Sequence, residues 1–296
     1  MHLKPIKIFL KLKNTLILGC FFDIFILVIS IICNYMQLSI YQVDAFTDSV
    51  FGGNPACVIP LKKWLKSETL LKIAQENSVP ETAFFVETEI GFHLRWFTPE
   101  IEMDLCGHAT LASAFIIKEY LNHSKKEINF KTLSGNLKVT SKDSLYTLDF
   151  PSRDPVEVNL PVIISKAVSI PPVKTFKFRD YVLIYNNQTD IENIVVNPEI
   201  LNQIDLKTGG IIVTSKGDSV DFVSRFFTPR SSVLEDPVTG SAHCSLIPYW
   251  SKVLNKNKMK AFQLSKRKGE LFCVNKGDRV LISGNAKIYS RGIIWI

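Results

Sequence analysis

The stretch RWFTPE at residues 95–100 returns almost unchanged as RFFTPR at residues 225–230. Each copy leads through a short loop to a glycine that opens a segment of helical spacing, Gly107 after the first copy and Gly240 after the second. The same landmarks in the same order indicate an internal repeat. The chain is therefore predicted to contain two halves of similar structure.

A second pair of similar segments also indicates a repeat: SGNLKV at 134–139 is matched by SGNAKI at 283–288. Around these landmarks, short strand-like runs alternate with helix-like segments, which indicates an α/β (α+β) chain. Ser67 is predicted to cap a helix over 67–79. The Pro- and charge-rich stretch 151–161 is the most plausible boundary between the halves.

The predicted organisation has three parts: an extension over residues 1–35, an N-terminal half over 36–155 and a C-terminal half over 156–296. The extension contains a nearly continuous apolar run, 15–33, behind four lysines. Such a run is typical of a signal anchor with a cytoplasmic N-terminus. Asp23 near its middle is costly in a membrane.

Met36 offers an alternative start, because the alternation of a first strand begins directly after it. Residues 1–35 are then a start-site extension, and the protein is expected in the cytoplasm. If the extension is retained, the protein is instead anchored in a membrane. Both interpretations remain open from the sequence.

Composition disfavours several classes of protein. The chain has 296 residues, of which 46% are hydrophobic and 21% charged, as in ordinary globular proteins. The net charge of +7 falls to +4 once residues 1–35 are set aside, and no block of like charges suggests nucleic-acid binding. Six cysteines without CxxC spacing favour a reducing compartment.

The two helix starts suggest where a ligand binds. Helix N-termini expose unpaired amides and the positive end of the helix dipole, so each glycine opening is a potential anion site. If the halves pack about a pseudo-twofold axis, Gly107 and Gly240 face one cleft. A small carboxylate fits such a cleft, and so does the carbanion or enolate formed beside it.

Four side chains near these starts are candidates for proton transfer or substrate binding: Glu81, His108, Asp236 and Ser241. A carboxylate among apolar neighbours suits general acid–base chemistry, and Glu81 precedes the apolar run Ala83–Phe85. Each candidate also has a plain structural alternative. These are a surface glutamate, a helix-capping histidine, a turn aspartate before Pro237 and a serine of the first helical turn.

Other sites are disfavoured by spacing. Cys106, His108, His243 and Cys244 lack the usual zinc pattern, so no metal is expected. The motifs GxGxxG, GxxxxGK[ST] and GxSxG are absent, which disfavours nucleotide binding and a serine-hydrolase elbow.

Several longer motifs together resemble one known family. YQVDAFTDSVFGGNPACVIPL, ETAFF, LRWFTPEIEMDLCGHATLASAF, LDFPSRDP and DFVSRFFTPRSSVLEDPVTGSAHCSL are similar to the PhzF-like, phenazine biosynthesis-like family. The resemblance runs from about Met36 to the C-terminus. It implies a diaminopimelate-epimerase-like fold of two pseudo-symmetric halves, each a curved, mostly antiparallel sheet around a central helix. Family members are typically cofactor-independent homodimers.

The resemblance also implies roles for particular residues. Glu81 is the proposed proton shuttle, His108 is the histidine of the GH motif, and Asp236 and Ser241 would orient the substrate and bind its anionic groups. These four residues form the predicted catalytic group. Asn54, Gly107, Thr239 and Gly240 would bind the substrate or its anionic groups, which form part of a small metabolite.

Cys106 marks a departure from the wider superfamily. Diaminopimelate epimerases use two cysteines, one at each helix start, whereas Thr239 stands at the second place here. A two-thiol epimerase is therefore doubtful, and Cys106 is interpreted as a packing residue or vestige, with a thiol-assisted epimerase or racemase as the alternative.

The leading hypothesis is a cofactor-free isomerase that moves a proton at carbon on a small anionic substrate. The competing hypothesis is a non-catalytic or regulatory protein that retains the same cleft and binds a small molecule.

Overall fold

The computed structural model describes residues 36–296 apart from Thr208 and Ser232. The predicted apolar segment 15–33 lies outside these residues. Within the part of the chain described, no helix is both long and apolar enough to cross a membrane.

The chain divides into two compact units, of which residues 40–292 form the larger. The smaller unit includes residues 36–39 and 293–296. In it, the backbone amides of Met36 and Ile296 donate to each other's carbonyl oxygens at 2.8 and 3.0 Å. The two halves of the repeat both lie in the larger unit.

The elements alternate as the sequence predicts. The strands are β1 (Gln37–Ala45), β2 (Asn54–Leu61), β3 (Glu81–Thr88), β4 (Gly91–Phe97), β5 (Glu102–Met103), β6 (Glu127–Thr132), β7 (Gly135–Lys142), β8 (Leu145–Pro151), β9 (Val156–Glu157), β10 (Lys174–Lys177), β11 (Tyr181–Ile184), β12 (Ile211–Lys216), β13 (Phe222–Phe227), β14 (Glu235–Asp236), β15 (Lys258–Gln263), β16 (Gly269–Asn275), β17 (Arg279–Gly284) and β18 (Ala286–Trp295). The described helices are α1 (Ser67–Asn77), α2 (Gly107–Glu119), α3 (Val162–Ala167), α4 (Gln188–Asn193), α5 (Pro198–Leu201) and α6 (His243–Leu254), with a 3-10 turn at Gly240–Ala242 before α6.

Strand pairing repeats step by step in the two halves. In the first, β1 and β2 form an antiparallel hairpin, β2 pairs in parallel with β3, and β3 pairs antiparallel with β4. Strand β4 then pairs with β5 and, in parallel, with β6, which starts the antiparallel series β6–β7–β8. The second half repeats this order from β10 to β17.

Strand β8 also pairs with β17, which joins the two halves. The predicted architecture of two similar α+β halves with a curved sheet and a central helix is therefore confirmed. The boundary between 155 and 156 stays a prediction.

The central helices are buried because they are apolar around most of their surface. In α2, ten of the thirteen residues are buried, and α6 is buried over most of its length. A helix that is hydrophobic on all sides is stable only inside a core. The sheets curve around these helices, and the N-terminal ends, at Gly107 and Gly240, line one pocket.

The first copy of the repeated phrase closes a turn after β4. Arg95 pairs with Glu102 on β5 through two short contacts, Nε–Oε1 at 2.6 Å and Nη2–Oε2 at 2.7 Å. Phe97 lies under the guanidinium at 5.1 Å, and Thr98 Oγ1 accepts the backbone amide of Ile101 at 2.9 Å. The repeated sequence thus forms a tight loop after β4 that leads to the start of α2.

The second copy does the same after β13. Arg225 pairs with Glu235 on β14 at 2.7 and 2.9 Å, and Phe227 lies 5.0 Å under the guanidinium. The amide of Thr228 donates to the carbonyl of Leu234 at 2.8 Å, as Thr98 does to Ile101 at 2.9 Å. The repeated letters therefore encode one repeated turn.

The second sequence echo is wrong as a structural equivalence. Gly135 opens β7 with a φ of +90° and open space beside it. Gly284 ends β17, and a Cβ there would lie 2.4 Å from the ring of Phe46. Gly135 is needed for a tight turn, whereas Gly284 allows the ring of Phe46 to pack against the backbone. The strand that corresponds to β7 in the second half is β16.

Helix prediction was also incomplete at several ends. The N-cap of α1 is Lys66, not Ser67, and Ser67 Oγ instead accepts Arg95 Nη2 at 2.8 Å. The short helix α5 is capped by the side chain of Asn197. Helices α3 and α4 were not predicted, because each has only six residues.

Candidate functional site

The two helix starts meet at a pair of glycines. A Cβ placed on Gly107 would lie 3.1 Å from Gly240 Cα, and one on Gly240 would lie 3.2 Å from Gly107 Cα. A side chain at either place would push the two backbones apart. Because the first amides of a helix have no partner inside the helix, this contact brings two groups of N–H donors to one place.

Glu81 lies beside these donors, at the first residue of β3. Its Oε2 is 3.0 Å from His108 Nε2, with the Glu81 side chain 14% exposed and the His108 side chain 4%. The two atoms are close, yet no aligned hydrogen bond joins them, and Oε2 is buried without a hydrogen-bond partner among the residues described. This carboxylate is therefore a candidate to take or deliver a proton.

His108 can carry a charge in this setting. Burial lowers the pKa of His108, but the neighbouring Cys106 and Glu81 raise it overall, well above its usual range. Burial, followed by the charge of Glu81, raises the pKa of the Cys106 thiol to about 11. Cys106 is thus a neutral thiol near pH 7, so we assign the charge that stabilises an imidazolium to the Glu81 carboxylate.

Asn54 links the two halves from behind the pocket. Its Nδ2 lies 2.7 Å from Asp236 Oδ1, 2.9 Å from the carbonyl of Val238 and 3.1 Å from His108 Nδ1. When His108 is neutral, this amide favours the tautomer whose proton is on Nε2, facing Glu81. Asn54 is fully buried and is not among the residues that line the pocket. Its contacts orient His108 and Asp236, and its direct binding of an anion stays a prediction.

Asp236 is the second carboxylate of the group. Its Oδ2 accepts the hydroxyl of Thr239. Burial raises the pKa of Asp236 from 3.8 to about 6; the positive charge of His108 opposes this increase and the negative charge of Glu81 adds to it. The aspartate can therefore change its protonation state near neutral pH.

Cys106 and Thr239 occupy matching places, each immediately before a glycine. Cys106 Sγ lies 3.6 Å from His108 Nδ1 and is buried. Thr239 Oγ1 is held by Gln263 Nε2 at 3.2 Å as well as by Asp236. The second place of a paired-thiol mechanism is thus occupied by a hydroxyl.

Ser241 is bound by Arg179, a pocket residue that was not predicted from the sequence. Its Oγ accepts a hydrogen bond from Arg179 Nη2 at 3.0 Å. Arg179 lies in the turn between β10 and β11, the counterpart of the turn before Asn54 in the first half. The repeat was the available signal, because the same turn of a duplicated half faces the same cleft.

These side chains surround one pocket of about 490 Å³. Every predicted site residue except Asn54 lines it: Glu81, Cys106, Gly107, His108, Asp236, Thr239, Gly240 and Ser241. Arg179, Lys207 and Arg230 line it from the second half. The structure therefore brings the predicted residues together, and their chemical roles stay predictions.

Three of these residues could hold a metal ion. Donor atoms of Glu81, Cys106 and His108 all lie within 4.8 Å of one another. Zinc would need Cys106 as a thiolate, which burial opposes. The expectation that no metal is needed stays a prediction.

Comparisons with known proteins agree on one family. The model of the phenazine biosynthesis-like protein family, PhzC–PhzF, matches residues 43–292. The chain is 43% identical over 259 residues to an uncharacterized isomerase of Pseudomonas aeruginosa, covering 88% of this chain and 99% of that protein. It is 39% identical over 290 residues to mouse phenazine biosynthesis-like domain-containing protein 2, with the same coverage, 88% and 99%.

Solved structures give the same result. A PhzF-family protein of Enterococcus faecalis superposes with a TM-score of 0.85 at 43% identity, covering 88% of this chain and all of that one. A hydroxyproline epimerase of Agrobacterium vitis, at 8% identity and a TM-score of 0.58 over 88% of this chain and 93% of its own, shares the fold alone. The chain belongs to the phenazine biosynthesis-like (PhzF) family.

Proposed function

We propose that the chain is a cofactor-independent isomerase that moves a proton between carbon atoms of a small anionic metabolite. The observation that carries this proposal is the Glu81 carboxylate, whose buried Oε2 makes no aligned hydrogen bond with the described residues and lies 3.0 Å from His108 Nε2. It faces a pocket into which two helix starts open. Relatives named as isomerases support the same class of reaction.

The reaction needs no oxidant or reductant. Glu81 takes the proton from a C–H bond activated by a neighbouring carboxylate or carbonyl, and the electron pair moves into the conjugated system. Amides at Gly107 and Gly240 stabilise the negative charge that develops. Glu81, now protonated, returns the proton to a different carbon, which gives the isomer.

His108 and Asp236 assist from the two sides of this step. A charged His108 forms an ion pair with the Glu81 carboxylate beside it, and Asn54 holds the imidazole in place. Asp236 and Ser241 orient the substrate. Formation of a homodimer and location in the cytoplasm stay predictions.

Solvent deuterium exchange tests the proposal. The protein is incubated in D₂O with a panel of unsaturated and cyclic carboxylic acids, and NMR follows the loss of C–H signal. The wild-type protein is expected to catalyse exchange of a carbon-bound hydrogen in at least one acid. Glu81→Gln should slow this exchange by a factor of about 10² to 10⁴, because an amide cannot carry the proton. Glu87→Gln, an exposed glutamate on the same strand, is the matched control.

Three outcomes would count against the proposal. Exchange that survives in Glu81→Gln removes the proposed role of that residue. Exchange that is lost in Cys106→Ser but not in Glu81→Gln points to the thiol-assisted epimerase. A protein that binds these acids and exchanges none of them is a binding protein.

A further inference from the structure

The orientation of Arg179 is fixed by a buried partner. Its Nε and Nη2 donate to the two carboxylate oxygens of Asp180 at 3.1 and 3.0 Å. Asp180 is itself fully buried and also accepts the amide of Gly210 at 2.8 Å. The guanidinium is thereby preorganised, which reduces the entropy lost when it binds a ligand.

Two hydrogen-bond donors remain unused beside each other. Arg179 Nη2 reaches the oxygen of Ser241 at 3.0 Å, so that hydroxyl acts as an acceptor and its own hydrogen has no acceptor among the described side chains and backbone. Arg179 Nη1 likewise has no hydrogen-bond partner in the described part of the chain, and both residues line the pocket. Two adjacent donors of this kind match the two oxygens of a carboxylate.

We infer that Arg179 Nη1 and the Ser241 hydroxyl form the subsite that binds the substrate's carboxylate. This inference rests on the proposed function and specifies the end of the substrate that is recognised. A continuous line of contacts runs from Arg179 through Ser241 to Gly240, then through Gly107 and His108 to Glu81. The anionic end lies at the Arg179 end of this line, and the carbon that exchanges its proton lies at the Glu81 end.

The other cations of the pocket fit this role less well. Lys207 is exposed, and Arg230 is 52% exposed and pairs with Asp205 at 3.3 Å. Water and salt screen such groups. Arg179, with a side chain 22% exposed, is better shielded, and its planar fork suits a carboxylate more than an ammonium does.

The size of the effect follows from the Asp180 partner. Because Asp180 offsets part of the charge, Arg179 binds through directed donors more than through net charge. A charge-assisted hydrogen bond of this kind corresponds to roughly tenfold in affinity.

A matched pair of probes tests the subsite without knowledge of the natural substrate. Benzoate and benzamide have nearly the same shape, and only benzoate is an anion. Isothermal titration calorimetry at one fixed salt concentration measures the ratio of their affinities. We expect the wild-type protein to prefer benzoate by about tenfold or more, and Arg179→Met to reduce the preference to about threefold or less.

Two further variants keep the result interpretable. Arg179→Met leaves the buried Asp180 without its partner, so the double variant Arg179→Met with Asp180→Asn removes both charges together and still accepts the amide of Gly210. Thermal melting confirms that the variants are folded. Arg291→Met removes an exposed arginine outside the pocket and should leave the ratio unchanged.

The outcomes separate this inference from the proposed function. A wild-type protein without a preference for benzoate, or folded Arg179 variants that keep the preference, overturns the subsite. An Arg179-dependent preference without deuterium exchange into any acid supports the subsite and removes the isomerase. Exchange that proceeds in Arg179→Met with an unchanged KM supports the isomerase and overturns the subsite.

Discussion

The two halves of the molecule use one frame for different chemistry. At matching places, the first half has Glu81, Met103, Cys106 and His108, and the second has Gly210, Asp236, Thr239 and Ser241. The turn residues are repeated, but the side chains that face the pocket are not. Repetition therefore builds the pocket, and divergence between the halves divides the work within it.

The two halves contribute different kinds of side chain to the pocket. In the proposed reaction, the first half contributes Glu81 as the proton acceptor together with His108, while the second contributes Arg179 and the Ser241 hydroxyl. A symmetric pair of acids or thiols would suit inversion at one carbon. An asymmetric pocket suits a substrate that binds in one direction and receives its proton at a new position.

Arg95 and Arg225 lie at matching places in the repeated turns of the two halves. Replacing each of them gives the strongest test of whether the two turns contribute equally to stability. Arg225 holds Glu235 and also the carbonyl oxygens of Ile191 and Ile194, both at 3.0 Å. Arg225→Met should therefore destabilise the protein by about 3 kcal/mol, because it leaves a shielded carboxylate and two carbonyls unpaired. Urea unfolding measures the change.

Arg95→Met provides the comparison, with an expected loss of about 2 kcal/mol. The loss is smaller because, beyond Glu102, the only hydrogen bond of Arg95 among the described residues is to the exposed hydroxyl of Ser67. The guanidinium also contacts the rings of Trp64 and Phe97. Lys138→Met, which breaks an exposed pair with Glu127, should change little. Equal losses for the two turn arginines would contradict the idea that the second turn supports more of the structure.

The glycine pair tests whether the two helix starts must touch. Gly107→Ala would place a Cβ 3.1 Å from Gly240 Cα, so we expect a loss of about 1–3 kcal/mol together with slower deuterium exchange. Gly135→Ala, which strains a turn at a φ of +90°, should cost about 1 kcal/mol and leave exchange unchanged. An active, fully stable Gly107→Ala protein would show that the contact is not needed.

Asp236 offers the smallest effect, and one that depends on pH. Its pKa is raised from 3.8 to about 6 in the folded protein, so the stabilising contribution of this group is present below pH 4 and is lost as pH rises through 6. This rise of the pKa corresponds to a penalty of about 3 kcal/mol at pH 7, which Asp236→Asn lacks. Because the variant also weakens the contacts with Asn54 and Thr239, it should be more stable than wild type by about 1 kcal/mol at pH 7, but not at pH 4. Thermal melts at both pH values measure the difference.

The same substitution should slow exchange, because the amide that replaces Asp236 cannot form the same contacts with Asn54 and Thr239. A stability gain with a loss of activity is typical of residues retained for function. An Asp236→Asn protein that is less stable than wild type at pH 7 would argue that the ionised carboxylate supports the fold.

Much of the fold was predictable because the repeat depends on contacts between residues that are close together in the sequence. The phrase around Arg95 and Arg225 encodes a turn through contacts that span ten residues or fewer, and such turns survive divergence. The pairing of SGN segments was wrong because one triplet serves two physical needs, a positive φ at Gly135 and a close approach at Gly284. Composition does not distinguish these needs.

The sequence by itself determined that two similar halves each present a glycine-led helix start, with Glu81 and His108 near one and Asp236 and Ser241 near the other. Only the tertiary structure decided that Gly107 touches Gly240, that Asn54 stands behind the pocket and that Arg179 reaches Ser241. These contacts join residues 54 to 184 positions apart along the chain. Local patterns specify turns and helices, whereas distances across a cleft depend on how whole halves pack.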